Sequence, residues 1–203
     1  SFETIVPRFA HLVTRHHGKE ISHGGLNPLT RRGLEALAGK ACLGILALSQ
    51  SAALMQKDLL KDYPAEYAQP ILDKMRVLHP PQETLVQEVI TREYSAEKPI
   101  KFILVGAAFF RKGGREVLEV FEKLVRQEKL PVRLTIVSSL RIENYAAQET
   151  EEDVAWARAK IAENEDWIEY YSELPNAETL TLMRAADVGL LPSYADTYGF
   201  SVL

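Results

Sequence analysis

The clearest periodicity lies in the second half of the chain, where short apolar runs alternate with stretches whose apolar residues recur every three or four positions. Ile100-Lys101-Phe102-Ile103-Leu104-Val105 is rich in β-branched and aromatic residues and stops at Gly106, which predicts a strand. Past a basic turn, Val117, Leu118, Val120, Phe121, Leu124 and Val125 mark one face of a helix. Pro131 precedes a second strand, Val132-Arg133-Leu134-Thr135-Ile136-Val137. After a polar, helical stretch, Trp167-Ile168-Glu169-Tyr170-Tyr171 predicts a third. Asn176 is placed to cap the next helix, with Glu178 facing the positive end of its dipole and Leu180, Leu182, Met183 and Ala186 as a buried stripe. Val188-Gly189-Leu190-Leu191-Pro192 closes the series as a fourth strand. Strands that alternate with helices imply an α/β fold with a parallel sheet and right-handed crossovers. Ligands of such sheets bind beyond the carboxyl ends of the strands.

The first half is shorter of pattern. Phe2, Ile5, Val6, Phe9, Leu12 and Val13 share one helix face, and Leu34 and Leu37 belong to a second helix. Gly44-Ile45-Leu46-Ala47-Leu48 reads as a buried strand, after which Ser49 or Ser51 caps a helix that runs through Leu60. Met75-Arg76-Val77-Leu78 is a last strand. It enters Leu78-His79-Pro80-Pro81-Gln82, where two prolines remove backbone donors and disfavour helix, so this segment reads as a linker. The expected organisation is a partial α/β piece over residues 1–80 and a parallel-sheet domain over 81–203.

Charge sharpens that division. Residues 1–80 hold 10 basic and 7 acidic groups, net +3, whereas residues 81–203 hold 14 and 21, net −7. With 203 residues, 46% of them hydrophobic, the chain has ordinary globular composition. The net charge of −4 argues against a nucleic-acid partner held by phosphate neutralisation. The longest uncharged apolar stretch, 41–48, is far short of the roughly 20 residues that span a bilayer, and the first residues lack a basic start followed by an apolar run. Cys42 is the only cysteine; with no intrachain disulfide possible, a cytoplasmic setting is the default. The stretch 143–173 carries 10 carboxylates against Arg158 and Lys160 and reads as a solvated helix face rather than a metal site. Arg15-His16-His17-Gly18 puts neighbouring histidines on different helix faces, unlike metal-binding pairs at i and i+4.

Two stretches could carry chemistry. In Val105-Gly106-Ala107-Ala108-Phe109-Phe110-Arg111-Lys112-Gly113-Gly114 a strand end leads through two adjacent cations to two glycines that open a helix. Free amides at a helix start, glycines that admit an anion to the backbone, and the charges of Arg111 and Lys112 suit a phosphate. A basic, solvated turn fits the same spacing. The stretch is neither a P-loop nor a dinucleotide fingerprint, which disfavours a nicotinamide-dependent dehydrogenase. The second stretch, 186–200, runs from an apolar strand into a loop with Pro192, Asp196 and Gly199. It falls on the same rim, where Asp196 is placed either to accept hydrogen bonds from hydroxyls or to form a turn.

Taken together, Gly-x5-Lys-Gly-Gly followed about 80 residues later by Ala-Asp-Val-x3-Pro-Ser-x2-Asp-x-Tyr-Gly-Phe resembles the donor-binding half of the retaining GT-B glycosyltransferases, in particular glycosyltransferase family 4. The resemblance covers residues 75–203. Further back, Ala47-Leu48-Ser49-Gln50-Ser51 looks like the strand and serine near the end of that family's acceptor domain. It implies a Rossmann-like donor domain preceded by a partial second α/β domain, and transfer of a hexose from UDP- or GDP-hexose to a carbohydrate or lipid-linked acceptor. Retention of configuration, with no cofactor and no metal, is implied as well. A noncatalytic module that binds a nucleotide or phosphosugar is the alternative.

Position by position, Lys112 matches the family's diphosphate-binding lysine, with Arg111 beside it. Ala107 stands where the family usually has an arginine. Asp196 matches the first acidic residue of an acid-x7-Glu motif, which contacts the transferred sugar, and Gly199, Phe200 and Ser201 match the loop whose amides cap the diphosphate. Ser138 and Ser139 replace glycines after the second strand, and Ser172 and Leu174 fall near the nucleotide base by location. The motif's second acidic residue would follow Leu203 directly. The expectation is therefore a fragment that lacks most of the acceptor domain and the extreme C-terminal part, and that transfers no sugar by itself.

Overall fold

The computed structural model describes residues 26, 28–81, 91, 93, 95, 97–142 and 149–193. Described residues up to 81 and those from 91 onward fall into two compact units.

In the first unit, helix α1 (Pro28–Ala38) precedes strand β1 (Ile45–Ala47), helices α2 (Gln50–Leu60) and α3 (Ala65–Lys74) follow, and strand β2 (Met75–Val77) pairs parallel with β1. Ser49, not Ser51, caps α2: its side chain accepts from the Ala52 amide at 3.0 Å. Leu34, Ile45, Leu60, Ala68 and Ile71 form the core. The expected buried strand over 44–48 is corrected to three residues buried on one side, because Ile45 and Ala47 face the helices while Leu46 is 54% exposed. At the far end of α3 the Lys74 ammonium donates to the carbonyls of Leu37, Ala38 and Gly39 at 2.9, 2.8 and 2.7 Å. Those carbonyls lie at the C-terminus of α1, whose dipole favours a cation there.

The second unit is an α/β domain around a parallel sheet. Strand β3 (Ile100–Val105) leads through a turn to helix α4 (Gly114–Glu122), which continues as a π-helical turn over Lys123–Gln127. Strand β4 (Val132–Val137), helix α5 (Glu151–Glu163), strand β5 (Ile168–Tyr171), helix α6 (Asn176–Ala185) and strand β6 (Val188–Leu190) follow. The sheet order is β5-β4-β3-β6, so the chain steps outward twice from β3 and then returns to its other side. Right-handed crossovers put α4 and α5 on one face and α6 on the other. Consistent with this, α4 touches α5, and α6 rests on β3.

Strand alternation divides the side chains accordingly. Phe102, Leu104, Val132, Leu134 and Ile136 pack with Val117, Phe121, Val154, Ala157 and Ile161, while Ile103 and Val137 face the opposite way. Phe102 meets Phe121 edge-on at 4.9 Å, and Phe121 stacks on Trp167 at 6.4 Å. The acidic helix face is more than solvated. Thr150 and Asp153 form a capping box, Asp153 also pairs with Arg115, and Lys160 donates to Glu122 at 2.9 and 3.1 Å.

Three sequence expectations need correction here. Trp167 lies in the turn before β5 rather than in the strand, and its indole donates to Asn164 at 3.1 Å. Asn176 is the first residue of α6 and not its cap; Pro175 holds the cap position and makes no side-chain hydrogen bond. The stripe Leu180, Leu182, Met183 and Ala186 is only half-buried, and Thr179 is the buried residue of that helix.

Candidate functional site

The ends of β3, β4 and β5 are level, since Val105 pairs with Val137 and Val137 with Tyr171. Gly106, Ser138 and Ser172 therefore leave the sheet along one rim. Because β6 returns to the far side of β3, strand order reverses at β3, and in open parallel sheets that point is where a crevice forms. A cleft of about 360 Å³ opens at this rim. All four residues expected near a nucleotide, Ser138, Ser139, Ser172 and Leu174, line it. Arg141 and Glu173 add a cation and an anion to its wall.

The serine hydroxyls hold the rim together. Ser138 donates to the Gly106 carbonyl, and Ser139 donates to the Ala107 carbonyl at 2.8 Å. Behind them the Tyr170 hydroxyl donates to the Ser138 carbonyl at 3.0 Å. Burial pushes the Tyr170 phenol up, against a smaller opposing pull from Arg158, so it stays a donor over the ordinary pH range.

Lys112 is only 8% exposed, and its aliphatic stem lies across Gly106. A Cβ at Gly106 would stand 3.0 Å from Lys112 Cε and 3.1 Å from Cγ, on a backbone with φ of +157°. Glycine at 106 thus admits the lysine stem to the end of the central strand, beside the cleft that Gly106 also lines. Arg111 is half-buried in the same turn; neither cation lines the cleft wall itself.

Two parts of the sequence reading change. The amides of Lys112, Gly113 and Gly114, expected to be free for an anion, donate to the carbonyls of Ala108, Phe110 and Phe109 at 2.9, 3.0 and 2.9 Å. The glycines at 113 and 114 admit protein rather than ligand. Gly113, with φ of +75°, leaves room for the Pro192 carbonyl, which would stand 2.5 Å from a Cβ, and Gly114 makes way for the Phe109 ring. What the turn offers a phosphate is therefore its cations. The Gly113–Pro192 approach also brings the two chemistry-bearing stretches together at one rim.

Sequence reasoning missed the brace beneath this turn. Arg115 pairs with Asp153, lies over the Trp156 ring at 4.1 Å and stands 5.7 Å from the Phe110 ring. Its partner lies 38 residues away, beyond any local spacing. Asp187 has a plain structural use: its carboxylate accepts from the Lys101 amide at 2.8 Å while its own amide donates to the Lys101 carbonyl at 2.7 Å, which locks the start of β6 to β3. Asp196, Gly199, Phe200 and Ser201 lie outside the described residues. No helix among the described residues is long and apolar enough to cross a membrane.

The fold and the cleft define a Rossmann-like α/β domain with a cleft at the carboxyl ends of a parallel sheet, where ligands of such sheets bind. Residues 86–203, more than half of the chain, match the family model described as glycosyl transferases group 1, and the chain belongs to that family. Comparison with curated proteins finds no match.

Proposed function

We propose that this glycosyltransferase moves a hexose from a nucleotide-diphosphate sugar, UDP- or GDP-hexose, to a carbohydrate or lipid-linked acceptor with retention of configuration, as in glycosyltransferase family 4. The observation that carries the reading is Lys112, buried across Gly106 at the end of the central strand and next to the cleft. In this chemistry the nucleoside diphosphate is the leaving group. A fixed cation in a partly dry site stabilises the charge that develops on it more strongly than water does. The Ser138–Ser139 rim and the residues after β5 hold the nucleoside, Lys112 with Arg111 holds the diphosphate, Gly199 to Ser201 cap it, and Asp196 contacts the transferred sugar. The residues 1–80 side contributes the tail of an acceptor domain.

Lys112→Ala should weaken UDP or GDP binding by about 1.5–3 kcal/mol, the value of a hydrogen bond to a charged group. Calorimetry reads it directly. Unchanged affinity would remove Lys112 from the diphosphate site.

A further inference from the structure

The cleft wall does not present its polar groups evenly. Ser138 and Ser139 spend their hydroxyl protons on the carbonyls of Gly106 and Ala107, and Thr179 donates to the Pro175 carbonyl at 3.2 Å. Among the described residues, the charged side chains that line the cleft are Arg141, after β4, and Glu173, after β5. Their nearest nitrogen and oxygen are 4.0 Å apart, too far for a hydrogen bond, and the side chains are 80% and 85% exposed. A strong donor and a strong acceptor thus stand side by side on the cleft wall, from different strand ends, with no hydrogen bond between them.

We infer that Arg141 and Glu173 select guanine as the base of the donor, an inference that rests on the nucleotide-sugar reading above. Guanine carries the O6 acceptor beside two donors, N1–H and the N2 amine, along one edge. The guanidinium donates to O6, and the two carboxylate oxygens accept from N1–H and N2–H. Uracil offers O4, N3–H and O2 in that order, so the second carboxylate oxygen would face another acceptor. Adenine offers the carboxylate one amine beside an acceptor nitrogen. A base that mismatches leaves a charge desolvated without its partner, which is the costly side of hydrogen-bond selectivity.

Titration of the intact protein with GDP, UDP, ADP and IDP tests this by calorimetry. GDP should bind at least about tenfold more tightly than UDP or ADP, the equivalent of one good charged hydrogen bond, with IDP weaker than GDP because it lacks the N2 amine. Glu173→Gln should erase the GDP-over-IDP difference and raise UDP affinity, because the amide nitrogen can donate to uracil O2 where a carboxylate oxygen faced it. UDP binding as tightly as GDP, or a GDP-over-UDP ratio that survives Glu173→Gln, overturns the selection while leaving the donor site standing. Absence of binding by all four nucleotides overturns the donor reading and the selection with it.

Discussion

The two parallel sheets of this chain bury their strands differently. In the four-stranded sheet the central strands are covered on both faces, with Leu104 1% exposed on one and Ile103 3% on the other. In the two-stranded sheet one face rests on helices, while Leu46, 54% exposed, and its register partner Arg76 stand on the open face. The first unit therefore draws its order from helix packing and helix ends, with Lys74 closing the C-terminus of α1, whereas the second draws it from steric fit around the sheet. Perturbations of a helix end and of a close approach should consequently act on different parts of the chain.

Gly113→Ala should be the most damaging change. It adds a Cβ at 2.5 Å from the Pro192 carbonyl on a left-handed backbone, and should cost about 2–4 kcal/mol from the combined strain and overpacking. Thermal unfolding measures the loss, and hydrogen exchange should place it in β3, β4 and β6; a loss below 0.5 kcal/mol, an order-of-magnitude bound for unstrained surface changes, would break the steric account. Lys74→Met should cost the first unit about 1.5–3 kcal/mol, because three carbonyls lose one charged donor. Exchange should quicken in α1 and α3 and stay unchanged in β3 and β4. An equal increase in both units would erase the contrast.

The smallest effect is one of pH. Hydrogen bonding to Glu122 is the main cause that holds the Lys160 ammonium above its ordinary 10.5, with burial acting in the opposite sense. A group whose folded pKa is raised contributes stability that is fully present below the unfolded value and is lost as pH rises through the folded one. The difference in stability between the parent and Lys160→Met should be constant from pH 7 to about 10 and shrink above that, a window set by the lysine reference value. A difference that grows with alkalinity would show that the pair does not link α4 to α5.

Legibility followed locality. The strands β3 and β4 carry their signal in six consecutive residues each and are readable from alternation and β-branching, and the helix face through Phe121 from its spacing, whereas the cap of α2 was legible only as Ser49 or Ser51. The sheet order was not readable, since it depends on which side of β3 the last strand joins. The π-helical turn over Lys123–Gln127 extends a helical pattern with no local mark of its own. At the site, Ser138, Ser139, Ser172 and Leu174 line the cleft because they follow the ends of β4 and β5, which were themselves legible. The uses of Gly113, Gly114, Arg115 and Asp187 did not show, because each is defined by a partner distant in sequence or, for Gly114, by a ring packed across the turn.

The Gly113–Pro192 approach has a consequence for engineering. Helix α4 starts where the chain after β6 leaves the sheet, and the two backbones meet with no space for a side chain between them. Transplanting either loop alone from a relative would bring in a partner shaped for a different neighbour. Chimeras that exchange both segments as a cassette should keep the rim intact, and natural variation at position 113 should track the backbone path at 192 rather than the identity of the sugar.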